Sequence, residues 1–238
     1  MMKLVLDKIA KQFDEKIIFD KADFTFEAGK IYGLLGRNGS GKTTLFNCIA
    51  KNMQLNSGEI LLDQGAGPKD YFNTDIGYVY TIPHLPAFMT AIEFVKFFMD
   101  INNDRMTSSK TPSEYLTMVG IKGEDQHRLL KDFSHGMQNK VQMVVSLMIT
   151  PPVLLMDEPL TSFDVVAAHE MKELIVAAKK NSIVIFSTHI LQLAQDLCDE
   201  IVLLNHHQLQ SIPSEKIHDA DFEEEIIQLL QDPQEEQA

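Results

Sequence analysis

One stretch of the chain constrains its fold more than any other. Residues 36–44 read Gly36-Arg37-Asn38-Gly39-Ser40-Gly41-Lys42-Thr43-Thr44, which matches the pattern G-x-x-x-x-G-K-[ST]. An apolar run at residues 31–35 precedes it and indicates a buried strand, and a helix-compatible run at residues 45–50 follows it. Glycines allow the backbone to wrap a phosphate chain, so that successive N–H groups and the helix N-terminus point at negative charge. The stretch therefore predicts a phosphate-binding loop between a strand and a helix.

The side chains of this loop have expected roles. Lys42 would reach the β- and γ-phosphates of a nucleotide, and the Thr43 hydroxyl would join the shell of a Mg²⁺ ion. The residues expected to contact the nucleotide here are Gly36, Asn38, Gly39, Ser40, Gly41, Lys42, Thr43 and Thr44. The alternative is a glycine-rich turn that happens to carry a lysine, and the flanking strand and helix argue against it.

Apolar residues alternate between strand-like and helix-like spacing along the chain. Strand-like runs occupy residues 4–6, 17–19, 24–26, 58–63, 76–80, 153–156, 183–186 and 201–204. From 83 to 150 the apolar positions fall three and four apart, which is typical of helices. Strands that alternate with helices predict an α/β fold whose sheet is largely parallel and covered on both faces. A last run at 222–230 indicates either a terminal helix docked on its own core or a helix that binds a partner.

Composition narrows the class of protein. The formal net charge is −13, and residues 214–238 alone hold nine acids against one lysine. Non-specific nucleic-acid binding needs clustered Lys and Arg, so we expect no nucleic-acid partner. No apolar run approaches the roughly 18 residues of a membrane span, and the N-terminus does not resemble a signal peptide. We therefore expect a cytosolic chain whose two cysteines, Cys48 and Cys198, are reduced thiols.

A second strand-like run ends in two carboxylates. Residues 153–156 are apolar and are followed by Asp157, Glu158 and Pro159. Enzymes that contain a phosphate-binding loop present an acid to Mg²⁺ in this way, and Asp157 would be that acid. Glu158 comes one residue later, where it could polarise an attacking water. Strand ends are often acidic, and it is the phosphate-binding loop upstream that makes this pair informative.

Upstream of Asp157 stands Phe133-Ser134-His135-Gly136-Met137-Gln138, and here the chain resembles the ATP-binding subunits of ABC transporters. The resemblance implies that Ser134 and Gly136 contact the γ-phosphate of an ATP held by a second copy, across a head-to-tail dimer. Ser and Gly at a helix N-terminus also suit an anion site. The alternative for Ser134 is a plain helix N-cap.

The resemblance assigns roles to three further positions. Asp164 matches the carboxylate of the family's dimer-interface loop, and His189 matches the histidine that hydrogen-bonds the γ-phosphate and orients the water. Phe13 matches the aromatic residue that stacks on adenine, although a core phenylalanine is nearly as good an interpretation. Lys42 and Glu158 complete the expected catalytic set with His189. The other seven histidines have no such placement, and we expect them to be solvated.

The chain departs from the family at one metal-shell position. Family members usually carry Gln at the end of the 76–79 strand, as a Mg²⁺ ligand and a sensor of the membrane subunit, and this chain has Thr81. Thr81 is shorter and would reach the ion less easily. His135 and Met137 in the signature are similar to the exporter-type branch.

Taken together, the resemblance implies an ATPase that uses ATP and Mg²⁺ to drive export through separate transmembrane permease subunits. It implies a P-loop NTPase (RecA-like) core with an N-terminal antiparallel β subdomain and an inserted helical subdomain. The expected boundaries are 1–82 and 151–212 for the core, 83–150 for the helical subdomain, and 213–238 for an acidic tail with a short helix. The second cassette would form a homodimer or a heterodimer, and the chain would be cytoplasmic and peripheral on the inner face of the membrane. The alternatives are a DNA-repair or translation ATPase of the same family and a weakly hydrolysing regulatory cassette.

Overall fold

Two β-sheets with helices packed around them make up the part of the chain that the computed structural model describes, which is residues 1–106, 108–212, 214–217, 219 and 221–230. The strands are β1 (Lys3–Phe13), β2 (Lys16–Glu27), β3 (Ile31–Leu35), β4 (Ser57–Asp63), β5 (Ile76–Val79), β6 (Val153–Asp157), β7 (Ile183–Ser187), β8 (Glu200–Asn205) and β9 (Gln208–Ile212). The α-helices are α1 (Lys42–Ile49), α2 (Ala91–Ile101), α3 (Pro112–Met118), α4 (His135–Met148), α5 (Val165–Ala178), α6 (Leu191–Leu197) and α7 (Phe222–Leu230).

The larger sheet has the strand order β5-β6-β7-β3-β8-β9. The first five strands are parallel, and β9 pairs antiparallel with β8. Every residue of β3, β6 and β7 is buried, as continuous apolar runs covered on both faces require. The predicted α/β class with a mostly parallel sheet is therefore confirmed. Because β6, β7 and β3 are neighbours, their carboxyl ends place Asp157, Ser187 and the loop after Leu35 side by side.

The smaller sheet is antiparallel, with the order β2-β1-β4, and it confirms the expected N-terminal β unit. The sequence predicted three short strands at residues 4–6, 17–19 and 24–26, and this was wrong in length. The structure has two strands of 11 and 12 residues, because polar stretches continue the pairing across bulges. Lys8 and Lys21 take positive φ values of 46° and 50° at these irregularities.

Helices α2, α3 and α4 all lie between residues 83 and 150, where helical spacing was predicted. Each of α2 and α3 begins with a capping box: Thr90 with Glu93, and Thr111 with Glu114. Their apolar faces join Val79, Met156 and Phe186 of the large sheet in one buried cluster. The inserted helical unit is thus part of the fold, while its limits at 83 and 150 stay predictions.

Helix α7 docks on its own core, the first of the two alternatives for residues 222–230. Phe222 and Ile226 are buried against Leu35, Leu203 and Ile212. Residues 213, 218, 220 and 231–238 of the predicted acidic tail lie outside the described residues. Among the helices that are described, none has both the length and the hydrophobicity to cross a membrane. Both cysteines are free thiols, as expected, and burial raises the pKa of Cys48 to about 11.

Candidate functional site

The phosphate-binding loop connects β3 to α1 with a backbone that requires glycine at its end. Gly41, immediately before α1, has a φ of 110°, which L side chains rarely adopt. A Cβ atom at this position would also lie 2.3 Å from Cγ2 of Ile18 on β2. The loop is therefore pressed against the small sheet at Ile18.

Lys42 is held inside the loop that precedes it. Its Nζ donates hydrogen bonds to the carbonyl oxygens of Gly36, at 2.7 Å, and Arg37, at 3.1 Å. The residue is only 7% exposed. Burial lowers the pKa of the Lys42 ammonium, and the carboxylates of Glu158 and Asp157 oppose that shift. The positive charge of Lys42 is thus fixed at the loop, where it interacts electrostatically with the carboxylates of Glu158 and Asp157.

Asp157, the last residue of β6, is fixed by two hydroxyl groups. Thr43 Oγ1 donates to Asp157 Oδ2 at 2.8 Å, and Ser187 Oγ donates to Oδ1 at 2.5 Å. The hydroxyl of Thr43 and the carboxylate of Asp157 are hard oxygen donors of the kind that Mg²⁺ prefers. The two residues expected to share a Mg²⁺ ion are in direct contact, so the donor set fits that ion.

Glu158 and His189 form a contacting pair beside Asp157. His189 Nδ1 lies 2.9 Å from Glu158 Oε1. The backbone N–H of Glu158 donates to the carbonyl oxygen of Ser187 at 3.2 Å and to its hydroxyl at 3.1 Å. Glu158 itself has a φ of 51°, an uncommon conformation for a residue with a side chain. The anchored, strained backbone aims this carboxylate away from the sheet and towards His189.

A cleft of about 480 Å³ unites the loop with these acids, a size typical of ligand sites. Its lining includes Phe13, Asn38, Gly39, Gly41, Lys42, Thr43, Thr44, Thr81, Asp157 and Glu158. Phe13 lines the cleft and is 43% exposed, so it is not a core residue. The hydroxyl of Thr81 donates to the backbone oxygen of Asp157 at 3.1 Å, so it braces the acid.

Ser134, Gly136 and Asp164 are not among the residues that line this cleft. Ser134 Oγ accepts from the N–H of Met137 and caps α4, and Asp164 Oδ1 accepts from the N–H of Ala167 and caps α5. A Cβ atom on Gly136 would lie 3.0 Å from the Ser162 carbonyl oxygen. The start of α4 therefore approaches the chain shortly before α5 at Gly136 and Ser162.

Sequence reasoning missed two residues at the cleft. Ser187 donates to the carboxylate of Asp157 and accepts the backbone N–H of Glu158, and Lys16 lines the cleft with Gly39. Ser187 pairs with Asp157 in the register of adjacent strands, and strand adjacency in a parallel sheet is not visible in the sequence. The polar Ser187 after the apolar 183–186 run was the one signal available.

Three comparisons place the chain among known proteins. The family model described as "ABC transporter" matches residues 19–161. The uncharacterized ABC transporter ATP-binding protein YxlF of Bacillus subtilis is 28% identical over 207 residues, which is 87% of this chain and 69% of that protein. The fluoroquinolones export ATP-binding protein Rv2688c of Mycobacterium tuberculosis is 29% identical over 196 residues, 81% of this chain and 64% of that protein.

A solved structure described as the dimeric post-hydrolysis state of the ATP-binding cassette MJ0796 bound to ADP and Pi has a similar fold. Its TM-score is 0.74 at 20% identity, over 89% of this chain and 98% of that one. The likeness supports the observed arrangement of a P-loop core with an antiparallel sheet and a helical insertion. Because the family model spans more than half of the sequence, the chain belongs to the ABC transporter family, as one of its ATP-binding subunits.

Proposed function

We propose that the chain binds ATP with Mg²⁺ in the cleft and hydrolyses it. One observation carries the proposal: Asp157 accepts a hydrogen bond from Thr43 of the phosphate-binding loop, while Glu158 follows it at the same strand end. Lys42 would contact the β- and γ-phosphates, Thr43 and Asp157 would hold the ion, and the Phe13 ring would stack on adenine. When bound, Mg²⁺ neutralises charge on the phosphates.

Glu158 is the proposed general base. Its carboxylate is 23% exposed, so a water molecule can reach it, and its backbone is anchored twice to Ser187. A base must lie within hydrogen-bond reach of the proton that it takes, and these two hydrogen bonds restrict the motion of the Glu158 backbone. His189, in contact with Glu158, would hydrogen-bond the γ-phosphate and orient the same water.

The proposed active unit is a head-to-tail dimer of two cassettes, identical or different. Ser134 is exposed at the N-terminus of the 14-residue helix α4, where backbone amides attract anions. Since Ser134, Gly136 and Asp164 do not line the cleft of their own chain, they would serve the cleft of a second copy. The similar cassette MJ0796 is described as dimeric, which supports this arrangement.

The proposed role is to drive export through separate transmembrane permease subunits from the cytoplasmic face of the membrane. The relative Rv2688c is named as an export protein, which supports this direction. Reconstitution with the permease in vesicles, followed by measurement of ATP-dependent substrate movement, tests the coupling and its direction.

The assignment of Glu158 is tested by Glu158→Gln. The amide keeps the shape of the side chain but cannot take a proton, so hydrolysis should fall by about 10²- to 10⁴-fold, ATP should still bind, and a dimer should accumulate. Phosphate release, nucleotide affinity and light scattering measure these effects. Glu173→Gln, at an exposed site on α5, is the matched control. If Glu158→Gln hydrolysed ATP at the parent rate, Glu158 would not be the base.

A further inference from the structure

Two side chains bond the backbone where the ladder between β5 and β6 ends. Strand β5 lies at the edge of the large sheet, beside β6. The last pair in their register is Val79 with Met156, so the next residues, Tyr80 and Asp157, lie beyond the ladder of these two strands. Backbone carbonyl groups inside a protein need hydrogen-bond partners. At this point side chains supply them.

The first of these side chains is the hydroxyl of Thr81. It donates to the backbone oxygen of Asp157 at 3.1 Å, one residue past the last ladder pair. The contact between the two strand ends is therefore continued by a side chain instead of a backbone N–H. The carboxylate of Asp157 accepts from Thr43 and Ser187, so the Thr81 bond adds a hold on the backbone from which that carboxylate projects.

The second side chain is the amide of Gln142, on helix α4. Its Nε2 donates to the carbonyl oxygen of Tyr80 at 2.8 Å, across 62 residues of sequence. Gln142 is only 5% exposed, and a buried amide without a partner would cost free energy. The carbonyl of Tyr80 belongs to the peptide group that joins Tyr80 to Thr81. Gln142 therefore fixes the peptide group immediately before the hydroxyl that meets Asp157.

The ring of Tyr80 is held separately from its carbonyl group. It stacks on Tyr78, with ring centroids 4.0 Å apart and planes 21° apart, and it meets His84 edge to face at 5.2 Å. Asn52 Nδ2 donates to the Tyr80 hydroxyl at 3.2 Å. Aromatic contacts of this geometry stabilise one ring position. With the ring anchored, the peptide group that follows it is the part that Gln142 alone orients from α4.

We propose that Gln142 is a positioning residue for the Mg²⁺ site, an inference that rests on the proposed function. Its amide fixes the peptide group between Tyr80 and Thr81, and the Thr81 hydroxyl then meets the backbone oxygen of Asp157. The carboxylate of Asp157 is thereby kept in place beside Thr43. Gln142 itself touches neither the nucleotide nor the ion. Its loss therefore weakens the response to Mg²⁺ and spares the recognition of ATP.

Gln142→Met tests this role, because methionine keeps the length of the side chain and removes the amide. The Mg²⁺ concentration that half-saturates hydrolysis should rise about 2- to 10-fold, the range that one lost hydrogen bond gives. The KM for ATP at saturating Mg²⁺ should stay near that of the parent. Phosphate release, measured over a series of Mg²⁺ concentrations, gives both constants.

Gln126→Met is the matched control for the loss of a buried amide. Gln126 is also 5% exposed, and its Nε2 donates to the backbone oxygens of Ser113, on α3, and Ile121. It therefore belongs to the same helical unit but bonds no residue of β5. This variant should lose stability and keep the Mg²⁺ requirement of the parent. An equal rise in both variants, or no rise in Gln142→Met, would overturn the proposal.

Thr81→Val tests the step that leads from Gln142 to Asp157. Valine keeps the shape of the side chain without the hydroxyl, so the Mg²⁺ requirement should rise as it does in Gln142→Met. In the double variant the two increases should not multiply, because both variants remove the same support from Asp157. Increases that multiply would show that Gln142 does not act through Thr81.

Hydrogen exchange without nucleotide separates this proposal from the proposed ATPase function. The peptide that contains Asp157 and Glu158 should exchange about 2- to 10-fold faster in Gln142→Met than in Gln126→Met, since only the first variant releases the end of β6. Equal exchange in the two variants would refute the positioning role. If the parent failed to hydrolyse ATP, the ATPase function would be wrong, while this comparison would still decide whether Gln142 holds the strand end.

Discussion

Ser187 organises the acids of the site although it reacts with nothing itself. Its hydroxyl donates to Asp157, and its oxygens accept the backbone N–H of Glu158. Ser187→Ala leaves a buried carboxylate short of one partner, so we expect a loss of about 1–3 kcal/mol in the free energy of unfolding. Because Asp157 would then be free to turn, Mg²⁺-dependent hydrolysis should fall as well.

Ser182→Ala separates these two effects. Ser182 is equally buried just before the same strand, and its hydroxyl donates to the Pro151 carbonyl oxygen at 2.6 Å. Thermal unfolding of both variants should show similar losses, and only Ser187→Ala should slow phosphate release. Equal hydrolysis rates in the two variants would mean that Ser187 has no role in positioning the acids.

Gly41→Ala tests how tightly the loop is pressed on β2. The substitution adds the cost of a positive φ, about 1–2 kcal/mol, and a clash at 2.3 Å with Ile18. Gly67→Ala has a similar φ of 93° but nothing within 4 Å of its Cβ, so it adds the first cost alone. Chemical denaturation should therefore find Gly41→Ala the less stable, and nucleotide affinity should fall in that variant only. A matching loss of affinity in Gly67→Ala would contradict the prediction.

The stability of helix α2 depends on the capping box at its N-terminus. Thr90 and Glu93 bond each other's backbone N–H groups, so Thr90→Ala should cost about 1 kcal/mol. The hydrogen bonds that Glu93 accepts from Thr90 lower the pKa of the Glu93 carboxyl. A carboxylate whose pKa is lowered by folding stabilises the fold at pH values above its unfolded pKa. That contribution is lost as the pH falls through the folded pKa. The stability difference between parent and Thr90→Ala, measured by urea unfolding, should therefore shrink at acidic pH, because the variant loses the bond from the Thr90 hydroxyl to Glu93. A constant difference would exclude a contribution from that bond, since the backbone N–H of residue 90 still donates to Glu93 in the variant.

Elements that depend on a local sequence pattern were predictable, whereas the elements that pack beside them in the fold were not. The 36–44 loop could be placed because strand, glycines and helix follow one another along the chain. The link from Ser187 to Asp157 could not, since the order of β6, β7 and β3 is set by crossovers that bury both faces of the sheet. The long β1 and β2 were missed because their bulges place polar residues where the alternation breaks.

The proposed dimer makes a prediction for the whole molecule. Lys42→Ala should disable a cleft in the chain that carries it, whereas Ser134→Arg should disable the cleft of the partner. Each variant alone should be inactive. When the two are mixed, half of the dimers are mixed pairs with one intact cleft, so about a quarter of the parent hydrolysis rate should return. If mixing restored nothing while the two variants still formed mixed dimers, the head-to-tail arrangement would be wrong.

The hydrogen bonds of Lys42 bear on which nucleotides the loop would accept, according to the number of their phosphates. The ammonium group already satisfies the carbonyl oxygens of Gly36 and Arg37, so a nucleotide must offer oxygen atoms good enough to replace both. If Lys42 reaches the β- and γ-phosphates as proposed, a triphosphate would supply both oxygens, whereas a monophosphate would supply neither and would leave the exchange incomplete. In the proposed complex the lysine would therefore act as a gauge of phosphate-chain length, and short nucleotides would be disfavoured before any catalytic residue is involved.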